Sequence, residues 1–93
     1  MIVEDPEEHE AAALRALHTS FAACRVLEIG CGDGRLTRRY AAGAASVIAI
    51  DPDADAVADL RIELPAVDAR AIGIEDLVLP AHSIDVVLFA WSL

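Results

Sequence analysis

Hydrophobic and polar positions in this chain follow two periods in turn. Residues 24–29, 46–50 (S-V-I-A-I) and 84–90 (I-D-V-V-L-F-A) are apolar almost throughout, and 67–72 is a weaker run of the same kind. Each is short enough for a strand. Between them the apolar residues recur every three or four positions. Ala11, Leu14 and Leu17 predict a helix over 7–19, entered by Pro6 and an acidic first turn. Leu36 and Tyr40 share one face of a helix over 35–42, with Gly43 as its C-cap. A third helix opens at Asp51-Pro52-Asp53, runs to about residue 64 and is stopped by Pro65. Residues 75–83 read as a loop. Uniformly apolar strands alternating with helices predict an α/β fold, a parallel sheet covered on both faces.

The chain stops at Trp91-Ser92-Leu93, directly after the fourth strand. That strand is expected to present an apolar edge, so either the sequence is a fragment of a longer domain or the edge invites self-association. At 93 residues there is room for a single small domain.

Composition narrows the partners. The formal charge is -9 and every basic residue is an arginine, with no cluster or stripe among them. Nucleic acid therefore has no electrostatic footprint to hold. The start, Met1 to Pro6, is acidic where a signal peptide is basic and then apolar. No apolar run reaches the roughly 20 residues of a spanning helix. No membrane association and a cytoplasmic location are the expectations. Cys24 and Cys31 flank a strand, too far apart for a bridge. Neither they nor His9, His18 and His82 have metal-ligand spacing, so no metal site is expected.

The chemistry gathers where the first strand ends, at Gly30-Cys31-Gly32-Asp33-Gly34. Alternate glycines allow a sharp turn and a close approach of main chain to a ligand. Asp51 lies 21 positions after Gly30, where an acid of a nucleotide-binding sheet accepts from ribose hydroxyls. It is equally placed to be a helix N-cap with Pro52 at the first helical position, and the two roles are compatible. Arg35 stands where the dinucleotide fingerprint needs its third glycine. With Glu28 and Asp33 on either side, the loop suits a cationic ligand better than a pyrophosphate.

Three motifs in order, V-L-E-I-G-C-G-D-G, A-I-D-P-D and I-E-D-L-V-L-P-A-H-S-I-D-V-V-L, resemble those of Rossmann-like, class I S-adenosylmethionine-dependent methyltransferases. The small-molecule group with the short glycine motif is the nearest in pattern, and the resemblance covers residues 24–93. It implies a three-layer sandwich with strand order 3-2-1-4, a cofactor-binding core over 24–93 after an N-terminal helical segment over 1–20, and a domain incomplete at its C-terminus. It also implies S-adenosyl-L-methionine as cofactor and a small-molecule methyl acceptor. Glu28 would support the methionine end. The main chain of Gly30, Cys31, Gly32 and Gly34 would cradle the methionyl and ribose portion, and Asp51 would hold the ribose hydroxyls. Pro52 and Asp53 would line the adenine, joined by Ile74 and Glu75 of the third motif. Phe89 would reach the methionine amine through its carbonyl. Many relatives carry an Asp-Ala pair before E-D-L; Gly73 and Ile74 stand there, so that carboxylate is missing. No residue is singled out as a catalytic base. Two rival readings remain at this stage: a nicotinamide-dependent oxidoreductase, against which Arg35 counts, and a non-catalytic interaction module on the same fold.

Overall fold

The computed structural model describes the main chain of residues 2–4 and the whole of residues 21–90. The helix expected over 7–19 lies outside the described residues, as does Trp91. The elements are β1 (Ile2–Glu4), β2 (Arg25–Ile29), α1 (Thr37–Tyr40), β3 (Ser46–Ile50), α2 (Ala54–Glu63), β4 (Asp68–Arg70) and β5 (Val86–Phe89). Single 3-10 turns occupy Ala41–Gly43 and Ile74–Asp76. All strand pairings are parallel, in the order β1-β5-β2-β3-β4. The four strands expected from the apolar pattern, now β2 to β5, therefore keep the 3-2-1-4 order.

The fifth strand is a correction. β1 pairs Ile2, Val3 and Glu4 with Val87, Leu88 and Phe89, so the fourth expected strand has neighbours on both sides and is not the sheet's edge. The reason given for self-association through that edge goes with it. Three residues are too few to show a period, which is why the pattern passed over them.

Register fixes where the strands end. Glu4, Phe89, Ile29, Ile50 and Arg70 form one cross-strand row. The loops that leave the sheet after this row all leave from one edge.

One row lower, Leu88, Glu28, Ala49 and Ala69 point to the opposite face, because successive side chains in a strand alternate. That face packs on Leu36 and Tyr40 of the α1 region and on Val57 and Leu60 of α2, with Phe21 closing one side. The α1 helix is shorter than expected, since turns occupy residues 32–36 before it begins. Gly43 ends the 3-10 turn but does not take the left-handed conformation of a C-cap glycine. The cap of α2 is also displaced: Asp53, not Asp51, is the N-cap, accepting from the amides of Asp55 (3.1 Å) and Ala56 (3.2 Å). Pro52 thus precedes the helix.

At the far edge, Asp85 is a structural acceptor. It takes the Arg25 amide (2.8 Å) and both ends of the Arg25 guanidinium fork (3.0 and 2.8 Å), while Arg25 also donates to the His82 carbonyl. The guanidinium holds the Asp85 carboxyl well below the usual carboxylate range. No helix among the described residues is long and apolar enough to cross a membrane.

Candidate cofactor site

The loop after β2 is made by three glycines at positive φ: Gly30 at 82°, Gly32 at 55° and Gly34 at 97°. A side chain at these angles costs about 1–2 kcal/mol in strain, so glycine is the residue the turn requires. The loop is tied mostly through its own amides. Gly30 and Cys31 both donate to the Ile50 carbonyl (2.9 and 3.1 Å), and Gly34 donates to the Cys31 carbonyl (3.0 Å). The Gly32 amide donates to Asp51 Oδ2 (2.9 Å). Four of the five amides from 30 to 34 are thus engaged within the protein. A phosphate-cradling loop works the other way, turning successive N–H groups toward the ligand. This loop offers a ligand acceptors more than donors.

Asp51 leaves the end of β3 beside it. Its Oδ1 accepts from the Asp53 amide (2.9 Å), so one half-buried carboxylate spans the glycine loop and the turn into α2. Each carboxylate oxygen has two lone pairs, so both can still accept from a further donor. Of the two roles open to Asp51 from its spacing, the cap belongs to Asp53.

Glu28 is placed differently. It is wholly buried, and its Oε1 accepts from Thr37 Oγ1 (2.8 Å) and from the Tyr40 hydroxyl, both likewise buried. The Tyr40 ring stands edge-on to Phe21, with centroids 4.9 Å apart. Burial, reinforced by the Glu28 charge, pushes the Tyr40 hydroxyl far above its ordinary range, so it remains a donor at any working pH. Thr37 and Tyr40 escaped the sequence reading. They lie 9 and 12 positions from Glu28, and only the return of α1 over β2 brings them to it. Cys31 is buried as well; burial, with the charges of Glu28 and Asp51, pushes its thiol up to about 12.

Ile74 and Glu75 form the 3-10 turn in the loop after β4, both exposed. The Glu75 carboxylate folds back over Gly73 and occupies the space a Cβ there would take. Phe89 closes β5 in the same row as Ile29, and the Ala90 amide donates to the Ile29 carbonyl (2.8 Å). The glycine loop and the loop that carries the Ile74–Asp76 turn therefore leave the sheet from the edge at which β5 ends. Among the described residues no group of three or more His, Cys, Asp or Glu is arranged to hold a metal ion.

The geometry can be tested for a cofactor of the implied kind. At Gly32 nothing among the described residues stands within 4 Å of the place a Cβ would take, so among them open space lies directly over loop main chain. Asp51 flanks that space and Asp33 belongs to the loop itself. A flat, cationic nucleoside fits this arrangement, whereas a pyrophosphate meets carboxylates.

Comparison with known proteins agrees with the geometry. Residues 26–93 match the family model described as a methyltransferase domain. A Mycobacterium tuberculosis protein named "Probable S-adenosylmethionine-dependent methyltransferase" is 43% identical over 63 residues, 68% of this chain and 23% of that protein. A crystal structure of an S-adenosylmethionine-dependent methyltransferase from Mesorhizobium loti superposes with TM-score 0.69 at 27% identity, covering 84% of this chain and 37% of the other. A 23S rRNA methyltransferase, at TM-score 0.68 and 22% identity over 86% of this chain and 35% of that one, shares the fold. The chain spans about a quarter to a third of the length of the curated relatives it matches. With its glycine loop, its strand order and the matched family model taken together, the chain belongs to the class I, Rossmann-like S-adenosylmethionine-dependent methyltransferases.

Proposed function

We propose that this chain is the cofactor-binding part of an S-adenosylmethionine-dependent methyltransferase that methylates a small-molecule acceptor. The observation that carries this is the glycine loop with its amides turned inward and a carboxylate, Asp51, across its rim. Such a loop repels phosphate and accepts a sulfonium with a neutral nucleoside. In this reading Asp51 holds the ribose hydroxyls, and the main chain of Gly30, Cys31, Gly32 and Gly34 runs along the methionyl and ribose portion. Pro52 and Asp53 border the adenine on one side, Ile74 and Glu75 on the other. The Phe89 carbonyl, at the end of β5, faces the methionine amine. Glu28 acts from beneath the loop.

When bound, the cofactor supplies a methyl group already activated on sulfur. The chain's own part is to bind, orient and exclude water, which is where the rate gain of such a transfer lies.

The acceptor is proposed as a small molecule because the charge of -9 opposes a polyanion. The fold itself does not choose, since a 23S rRNA methyltransferase shares it.

Calorimetric titration with S-adenosylmethionine, and with NAD in parallel, tests the reading. Saturable binding of the sulfonium compound alone is expected. A folded chain that binds neither would instead be an interaction module.

A further inference from the structure

The loop is held from two sides, and only one of them faces the open space. Asp51 grips its rim at Gly32. Glu28 grips it from below: two residues before Gly30 on one side of the loop, it joins hydroxyls on α1, which begins three residues after Gly34 on the other. Everything between 28 and 37 is closed into a ring by these two hydrogen bonds. The Arg38 amide, donating to the Gly34 carbonyl at 3.1 Å, carries that ring directly into the first turn of the helix.

We propose that Thr37 and Tyr40 are positioning residues of the cofactor site. By donating to the same oxygen of the buried Glu28 they hold α1 against the end of β2, and so fix the Gly30–Gly34 main chain where it receives the methionyl end. The inference rests on the proposed function for the identity of the ligand. The brace itself rests on the geometry alone. Neither hydroxyl touches the open space, so both act through Glu28 and the loop. Because Asp51 holds the opposite side of the loop, losing the lower brace affects the ligand unevenly: the ribose grip remains and the amino-acid end is released.

The test uses the whole chain and two probes. S-adenosylhomocysteine carries the amino-acid end, and 5′-methylthioadenosine lacks it. Tyr40→Phe removes one hydroxyl while the ring keeps its edge contact with Phe21, so the fold survives. It should weaken S-adenosylhomocysteine binding roughly five- to tenfold, the loss of about one hydrogen bond, and leave 5′-methylthioadenosine within about twofold. Thr37→Val should behave in the same way, and Thr37→Ser, which keeps the hydroxyl, should restore binding. Equal weakening of both probes would make the hydroxyls merely structural and overturn the proposal, as would no weakening at all. Hydrogen exchange in the absence of ligand reads the brace independently. The amides of Gly32 and Gly34 should exchange faster in Tyr40→Phe, and unchanged exchange there would also overturn it. A wild-type chain that binds neither probe would refute the proposed function, and the exchange result would then decide the brace by itself.

Discussion

Glu28 and Asp51 are two carboxylates on neighbouring strands of one sheet, close to the same edge, and the protein uses them in opposite ways. Glu28 lies in the row below the strand ends and points into the face covered by α1 and α2, where two hydroxyls meet one of its oxygens. Asp51 lies just beyond the row, on the edge itself, and its two oxygens take backbone amides from two different loops. In register the two stand two positions apart, since Glu28 pairs with Ala49, so strand alternation by itself would put both on one face. What separates them is the strand end: Glu28 lies within β2, whereas β3 stops at Ile50 and leaves Asp51 in the turn beyond it. In sequence the two look alike, each an acid beside a glycine loop or a strand-to-helix turn. Their burial separates them: Glu28 is closed into the core, and Asp51 stands half-buried at the rim, where the proposed ligand would lie.

The sharpest way to break this comparison is Glu28→Ala. It leaves the Thr37 and Tyr40 hydroxyls in the core without their shared acceptor and opens a cavity, so a loss of about 3–5 kcal/mol is expected. That is a large part of the total stability of a small domain. Urea unfolding followed by circular dichroism measures it, and a loss below about 1 kcal/mol would move Glu28 to the rim class.

The glycines divide along the same line. Gly34→Ala sets a Cβ 2.6 Å from Leu60 Cδ1, on the core side, and adds the strain of φ 97°. It should cost stability beyond the roughly 1–2 kcal/mol of strain alone. Gly32→Ala meets no atom of the described residues, so it should cost only that strain yet abolish cofactor binding by filling the open space. Thermal melts beside binding titrations separate the two; matching losses in both variants would contradict the division.

The smallest effect expected is at Cys31. Its folded thiol, pushed up to about 12, lies above the ordinary thiol value of 9.0 that it has when unfolded. The folded state therefore keeps a proton that the unfolded state gives up, and stability falls as pH rises from about 9 toward about 12. Below that window the contribution is intact. In the native chain, alkylation by iodoacetamide at pH 8 should accordingly be slow at Cys31, and rapid labelling there, read by mass spectrometry, would contradict its burial between the two acids.

Much of this arrangement was legible in the sequence, for a physical reason. Strands buried on both faces have to be apolar throughout, and β3 shows its bounds, Ser46–Ile50, directly. The glycine loop was legible because positive φ leaves little choice of residue. What stayed hidden depended on tertiary return or on fine local choice. β1 gains its strand character from pairing with β5, not from its own three residues. Two acids flank Pro52, and spacing alone could not tell which one caps α2. The Thr37 and Tyr40 contacts with Glu28 needed the turn through Gly34 to be built first. Glu75 over Gly73 could not be anticipated either, since nothing in I-G-I-E-D shows a side chain folding back on its own loop.

The most direct test of the division between the acids is titration of wild type, Asp51→Ala and Asp53→Ala with S-adenosylhomocysteine, each beside a thermal melt. The account predicts that Asp51→Ala binds about 1.5–3 kcal/mol more weakly, roughly 10- to 150-fold, with its melting temperature nearly unchanged. Asp53→Ala should do the reverse, losing about 1 kcal/mol of helix-cap stability and little affinity. An Asp51→Ala chain that is folded and binds like wild type would contradict the account, and would leave Asp51 as a backbone tie between two loops.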